Sequence, residues 1–173
     1  MNKNKIKIGI LGGSFDPAHK GHLAISKEAR KRFKLEKIIW AITKKNPLKA
    51  ESKTPISKKI KDCKKIIGLN SFIKVKFYEN IIKSNKTIDL INYLKKDKNI
   101  EIFFLMGADN LITFHKWHKS KLISQKCNII VFDRHGYKKN SLKSKTFMRL
   151  NNKTLTFVEF KKVNISSSQL RKI

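Results

Sequence analysis

Short apolar runs alternate with amphipathic stretches along this sequence, and glycine, histidine and aspartate cluster just after several of the apolar runs. The alternation predicts an α/β protein, with a doubly wound, mostly parallel sheet and helices on both faces. In such sheets the loops after the strands form the ligand cleft, which is where the polar clusters fall. The length of 173 residues suits one ordinary domain, so we expect a single domain over residues 1–173.

Each element is justified by its local pattern. The predicted strands are short apolar or alternating runs at residues 6–11, 37–43, 72–78, 100–106, 128–132 and 155–160. Helices are predicted where apolar residues recur among lysines, at residues 55–69, 87–95 and 116–124 and in a first helix from about His22. Right-handed crossovers between parallel strands then bring the loops at 12–22, 43–49 and 107–117 to one edge of the sheet.

The composition is strongly basic, with a formal net charge of +29. Nucleic acid is therefore a partner to consider, but the basic residues are spread from Lys3 to Lys172 rather than clustered, which favours a lysine-rich composition bias without a specific nucleic-acid surface. Cys63 and Cys127 form no CxxC pair, so neither a disulfide framework nor a thiolate metal site is expected. The apolar run near the N-terminus is too short for a signal peptide or membrane span, and we expect a cytoplasmic protein.

The segment GGSFDPAHKGH, residues 12–22, lies between the first strand and the first helix. Its paired glycines allow the backbone to approach a phosphate closely, and a helix N-terminus favours a bound anion. His19 and His22 are candidates for hydrogen bonds to phosphate oxygens. A zinc site or a purely structural role is the alternative, although the segment lacks the glutamate of HExxH.

His19-Lys20-Gly21-His22 resembles the (T/H)xGH signature of the nucleotidyltransferase superfamily. Residues 165–171, ISSSQLR, are similar to its (I/V)SS(S/T)xxR signature, although alone they also fit an N-capped helix. The resemblance implies a Rossmann-like nucleotidyltransferase fold, ATP bound with Mg²⁺ on its phosphates, and no metal site made by the protein alone. It also implies catalytic roles for His19, His22 and Arg171, and ATP or phosphate contacts from Gly12, Gly13, Ser14, Phe15, Ser167 and Ser168.

The middle of the chain suggests the acceptor. Residues 106–117 look like the G(A/M)D(N/S)L…W block of bacterial nicotinate-nucleotide adenylyltransferases, and TKKNPLK at 43–49 and the later DRHGY resemble two more of their segments. The resemblance implies a nicotinate mononucleotide site formed by Asn46, Lys49, Thr87, Asp109, Trp117, His118 and Arg134. From the residues alone, Trp117 also fits core packing and Asp109 a helix N-cap, while Thr87 rests on a segment that departs from the family pattern.

The expected reaction is direct in-line displacement, in which a phosphate oxygen of nicotinate mononucleotide attacks the α-phosphorus of ATP and pyrophosphate leaves. The products are deamido-NAD and pyrophosphate, and positioned cationic and hydrogen-bonding groups suffice for this chemistry. Alternatives are a phosphopantetheine adenylyltransferase, an enzyme that prefers the nicotinamide mononucleotide, and a non-catalytic basic nucleic-acid-binding module on the same fold.

Overall fold

The computed structural model describes residues 5–44, 53–151 and 153–159. Its six strands form one sheet in the order β3-β2-β1-β4-β5-β6, and every neighbouring pair is parallel. The strands are β1 (Ile6–Gly13), β2 (Lys37–Ile42), β3 (Ile73–Lys76), β4 (Ile100–Gly107), β5 (Asn128–Phe132) and β6 (Leu155–Val158). The α/β prediction is confirmed. The strand order reverses between β1 and β4, and a reversal of this kind opens a crevice at the carboxyl edge of the sheet.

Eight α-helices lie in the described ranges. They are α1 (Lys20–Phe33), α2 (Ile56–Ile67), α3 (Glu79–Ile82), α4 (Thr87–Leu94), α5 (Ala108–Thr113), α6 (Ser120–Lys126), α7 (Lys138–Leu142) and α8 (Lys145–Leu150). None of the helices in these ranges is long and apolar enough to cross a membrane.

The two faces of the sheet carry two hydrophobic cores, and alternate residues of each strand feed one or the other. On β4, Phe104 and Met106 join the core under α4, α5 and α6, whereas Phe103 and Leu105 join the core under α1 and α2. The same alternation runs along β5. Because both faces are covered, the strands read as continuous apolar runs in the sequence.

The elements predicted from sequence depart most from the structure in two respects. The helix predicted at 116–124 is present as α6, but it begins four residues later, at Ser120. A 3₁₀ turn at Phe114–Lys116 precedes it, and the left-handed φ of 53° at Lys119 separates the two. The short helices α3, α5, α7 and α8 were not predicted, since four to six residues are too few to show helical periodicity. Of the last predicted strand, Phe160 lies outside the described residues.

Candidate active site

The loop that follows β1 brings its polar groups to the carboxyl edge of the sheet. Gly12 is exposed and Ser14 half-buried, whereas Phe15 is buried and packs its ring against Gly13. The Asp16-Pro17 peptide is cis. The chain then enters α1, a helix of 14 residues whose N-cap is His19. A buried aromatic residue thus anchors a loop whose backbone stays accessible.

His19 and His22 cap the start of α1 reciprocally. The Gly21 N–H donates to His19 Nδ1 at 3.1 Å, and the His19 N–H donates to His22 Nδ1 at 3.2 Å. The two rings stack with their centroids 3.8 Å apart. This is the arrangement of a capping box, built from two imidazoles. Because each Nδ1 accepts a hydrogen bond, a neutral ring carries its proton on Nε2, so both histidines present an Nε2–H donor.

A buried hydrogen-bonded pair supports His22 from behind. The Ser26 hydroxyl donates to the His22 carbonyl at 2.8 Å and accepts from Trp40 Nε1 at 2.8 Å. Phe15 stacks on Trp40 with a centroid separation of 5.0 Å and also contacts the His22 ring at 4.7 Å. Ser26 and Trp40 are both fully buried. The His22 ring therefore rests on a packed aromatic surface rather than on solvent. The pair was not identified from sequence.

The electrostatics of the site keep His19 neutral. Burial and, to a smaller extent, the positive charge of Arg134 lower the pKa of His19 to about 4. At neutral pH the imidazole is a hydrogen-bond donor without a charge. The influence of Arg134 also shows that the loops after β1 and β5 face one another, as the reversal of strand order requires.

Asp109 and Arg134 form the second half of the site. Arg134 Nη1 donates to Asp109 Oδ2 at 2.6 Å. A Cβ at Gly107 would lie 2.6 Å from Asp109 Oδ1, so only glycine leaves room for this carboxylate. Asp109 Oδ1 is buried and has no hydrogen-bond partner among the described residues. The N-cap alternative for Asp109 is wrong, because Gly107 occupies that position and no side chain caps α5.

Trp117 packs against the core beside the same edge. Its ring meets Phe104 edge-on at 6.0 Å and Phe114 at 5.3 Å, and Phe104 in turn borders Gly12. The core-packing alternative is thus correct for one side of the indole. Within the described part of the chain, the buried Trp117 Nε1 has no hydrogen-bond partner, like Asp109 Oδ1. Buried polar groups are normally paired, so two partnerless atoms in one region indicate a place for a polar ligand.

Among the described residues, the others predicted to bind the acceptor form no hydrogen bond or ion pair with Asp109, Trp117 or Arg134. α4 begins at Thr87 and leads into β4, so Thr87 lies towards the carboxyl edge, but the hydrogen bond that organises this entry joins Ser84 to Asp89. His118 follows Trp117 and is exposed. Five predicted residues lie outside the described ranges, namely Asn46, Lys49, Ser167, Ser168 and Arg171.

Sequence reasoning missed a buried cation next to the site. Lys59 on α2 is 1% exposed, and its Nζ donates to the Thr43 carbonyl at 3.4 Å. A signal was present in the sequence, because Lys59, Cys63 and Ile67 are spaced by four and form the buried stripe of α2. Among the described residues, no group of three or more His, Cys, Asp or Glu side chains is arranged to hold a metal ion.

This geometry has hydrogen-bond donors at a helix N-terminus and, across the strand reversal, two buried polar atoms without partners among the described residues. It is that of a nucleotide-binding α/β enzyme. The chain belongs to the cytidylyltransferase-like family, whose model matches residues 10–173. It is 67% identical over its full length to a probable nicotinate-nucleotide adenylyltransferase of Pelagibacter ubique, covering 96% of that protein. A Rhizobium johnstonii protein of the same description is 33% identical over 140 residues, which are 80% of this chain and 70% of that one.

A solved structure supports the fold. The chain superposes on Plasmodium falciparum nicotinic acid mononucleotide adenylyltransferase complexed with NaAD with a TM-score of 0.80. The match covers 96% of this chain and 82% of the other, at 22% sequence identity. Together with the six parallel strands, it establishes the nucleotidyltransferase fold that the sequence signatures implied.

Proposed function

We infer that this protein is a nucleotidyltransferase that joins the adenylyl group of ATP to nicotinate mononucleotide in NAD biosynthesis. The observation that carries the inference is full-length 67% identity to a relative with that description, in a chain with two imidazole donors at the strand reversal. The distant solved relative, complexed with NaAD, agrees with this choice of acceptor.

The reaction needs alignment and charge stabilisation rather than a protein nucleophile. A phosphate oxygen of nicotinate mononucleotide forms a bond to the α-phosphorus of ATP, and the bond from that phosphorus to the bridging oxygen breaks. Pyrophosphate carries away the electron pair. His19 and His22 donate Nε2–H to phosphate oxygens, and the backbone N–H groups that donate to their Nδ1 atoms fix both rings before ATP arrives.

Mg²⁺ enters as part of the MgATP substrate. Asp16 bonds to Thr54, and Asp109 pairs with Arg134, so the described site offers few oxygen ligands of its own. A donor set of this kind fits a metal held by phosphate oxygens and water. Ser167, Ser168 and Arg171 complete the triphosphate site in this proposal, on the basis of the ISSSQLR signature.

The acceptor is held across the crevice. Asp109 Oδ1 accepts a hydrogen bond from the mononucleotide, the Trp117 indole lies against its pyridine ring, and Arg134 keeps the carboxylate in place. Asn46, Lys49, Thr87 and His118 are further proposed contacts. We place the enzyme in the cytoplasm.

An acceptor panel tests this function. Purified protein with MgATP is supplied with nicotinate mononucleotide, nicotinamide mononucleotide or phosphopantetheine, and pyrophosphate release is measured while the product is identified by mass. We expect deamido-NAD and the highest kcat/KM with the nicotinate compound. Turnover only with phosphopantetheine, or salt-sensitive DNA or RNA binding without turnover on any acceptor, would replace the proposal with the corresponding alternative.

A further inference from the structure

A lysine lies on the buried face of α2, where its charge must be compensated. Lys59 is 1% exposed and shares that face with Cys63 and Ile67, which are 0% and 6% exposed. Removing an ammonium group from water is costly unless nearby groups stabilise it. Lys59 has no part in the proposed binding of ATP or of the acceptor. The groups around it indicate why a cation is buried at this position.

The hydrogen bond of Lys59 reaches the residue that joins the ends of two strands. Its Nζ donates to the Thr43 carbonyl at 3.4 Å, and the Thr43 N–H donates to the Gly13 carbonyl at 2.9 Å. The Thr43 hydroxyl and the Lys44 N–H both donate to Glu79 Oε1. Lys59 thus connects through one residue to Gly13, where β1 ends and the phosphate loop begins.

Two carboxylates on other parts of the chain act on the charge of Lys59. Burial lowers the pKa of Lys59, whereas the negative charges of Asp16 and Glu79 raise it and oppose that effect. Asp16 belongs to the phosphate loop, three residues before His19, and accepts a hydrogen bond from the Thr54 hydroxyl at 2.7 Å. A carboxylate in this position repels a triphosphate unless a cation offsets its charge. Lys59 is placed to do so.

We propose that Lys59 is a positioning residue for ATP: its ammonium fixes Thr43 against Gly13 and neutralises Asp16 and Glu79 beside the triphosphate. It acts through these residues and does not touch the substrate. The proposal rests on the proposed function only in naming ATP as the anion. A purely structural lysine predicts a different outcome, because its loss would lower the stability of the fold without changing the ATP affinity of the folded protein.

The test measures ATP binding by calorimetry with Mg²⁺ and no acceptor, together with thermal unfolding. In Lys59→Met we expect the thermal midpoint to fall, because removing one partner of a buried charge pair is destabilising. The ATP Kd of the folded protein should rise about tenfold, because Lys59 no longer offsets the charges of Asp16 and Glu79. The matched control is Lys61→Met, which removes the same charge from an exposed position on the same helix and should change the Kd less than about twofold, as distant surface charges are screened. With nicotinate mononucleotide present, the KM for ATP should rise more than kcat falls.

A second variant removes a negative charge near Lys59 instead of the positive one. Glu79→Gln keeps the oxygen that accepts from Thr43 and Lys44 but removes the charge, so ATP should bind as tightly as in the unaltered protein or about twofold more tightly. A folded Lys59→Met with normal ATP affinity, or an equal loss in Lys61→Met, overturns the proposal. If Lys59→Met does not fold, weaker ATP binding in Glu79→Gln overturns it instead. Normal ATP binding without turnover on nicotinate mononucleotide would contradict the proposed function but leave the Lys59 result valid.

Discussion

The start of α1 and the region around Asp109 lie at the same edge of the sheet but differ in how far their polar groups are satisfied. At the start of α1, each imidazole Nδ1 accepts a backbone N–H, and Ser26 and Trp40 bond to each other behind His22. Around Asp109, one carboxylate oxygen and the Trp117 Nε1 are buried without partners among the described residues. The helix cap of the first region is complete without a ligand, whereas the second region leaves two buried polar atoms for a ligand to pair.

This difference matches the tasks proposed for the two regions. Phosphate oxygens are negatively charged in every nucleotidyl transfer, so donors fixed in advance lose little freedom when the transition state forms. An acceptor must be distinguished from similar molecules, and a site whose buried polar groups stay unpaired with the wrong ligand discriminates strongly. The comparison can be tested with variants that keep the structural hydrogen bonds of a region but remove the group proposed to contact the substrate.

The largest effect is expected from His22→Asn. The asparagine Oδ1 takes over as acceptor for the His19 N–H, but the Nε2–H donor is lost. We expect kcat to fall about 10²–10³-fold, as for other lost transition-state donors. The free energy of unfolding should change by less than about 1 kcal/mol, because the cap remains. Pyrophosphate release and thermal unfolding measure the two quantities.

Two further variants serve as controls for His22→Asn. His22→Ala also removes the acceptor for the His19 N–H, so it should add a loss of about 1 kcal/mol in stability to the same fall in kcat. His115→Asn alters an exposed histidine and should leave both quantities unchanged. A His22→Asn enzyme with normal kcat would mean that His22 serves the helix alone.

Asp109→Asn tests the unsatisfied region and should have the next largest effect. The variant weakens the pair with Arg134 and removes the charge from the oxygen proposed to bind the acceptor. We expect the KM for nicotinate mononucleotide to rise about 10–30-fold, in line with hydrogen bonds to charged groups worth about 1.5–2 kcal/mol. The KM for ATP should stay within about twofold, since the His19 and His22 bonds are untouched. The exposed Asp97→Asn is the control, and equal rises in both KM values would contradict a division of the site into two regions.

The same contrast explains what could be predicted from the sequence. The α/β class followed from apolar runs such as residues 100–106, because a strand buried on both faces needs apolar residues throughout. The loop at 12–22 carried a local signature, and His19 and His22 bond within that one turn. Local chemistry of this kind is visible in consecutive residues.

Contacts between distant segments were not visible in the same way. Ser26 and Trp40 are 14 residues apart, and Asp109 and Arg134 are 25 residues apart, so no local sequence pattern predicts either pair. The resemblance to known enzymes selected Asp109 and Arg134 individually but did not predict their ion pair. Lys59 was overlooked because lysine is so common here that one more on a helix carries little information, although its spacing from Cys63 placed it on the buried stripe.

The smallest predicted effect concerns the ionisation of His19, and it tests whether the first region is as rigid as its hydrogen bonds indicate. Burial and Arg134 lower the pKa of His19 to about 4 from the 6.5 of an unperturbed side chain. Between these two values the unfolded chain binds a proton that the folded protein does not, so stability falls as pH drops from 6.5 towards 4. His19→Asn keeps a favoured N-cap residue but cannot titrate. The free energy of unfolding is measured with a chemical denaturant at pH 7.5 and at pH 5.0. Between these pH values the unaltered protein should lose about 1 kcal/mol more of this free energy than the variant, after allowance for solvent screening. Equal losses would show that the imidazole takes up its proton in the folded state as readily as in the unfolded chain, and that the start of α1 is open to water rather than held closed by its own bonds.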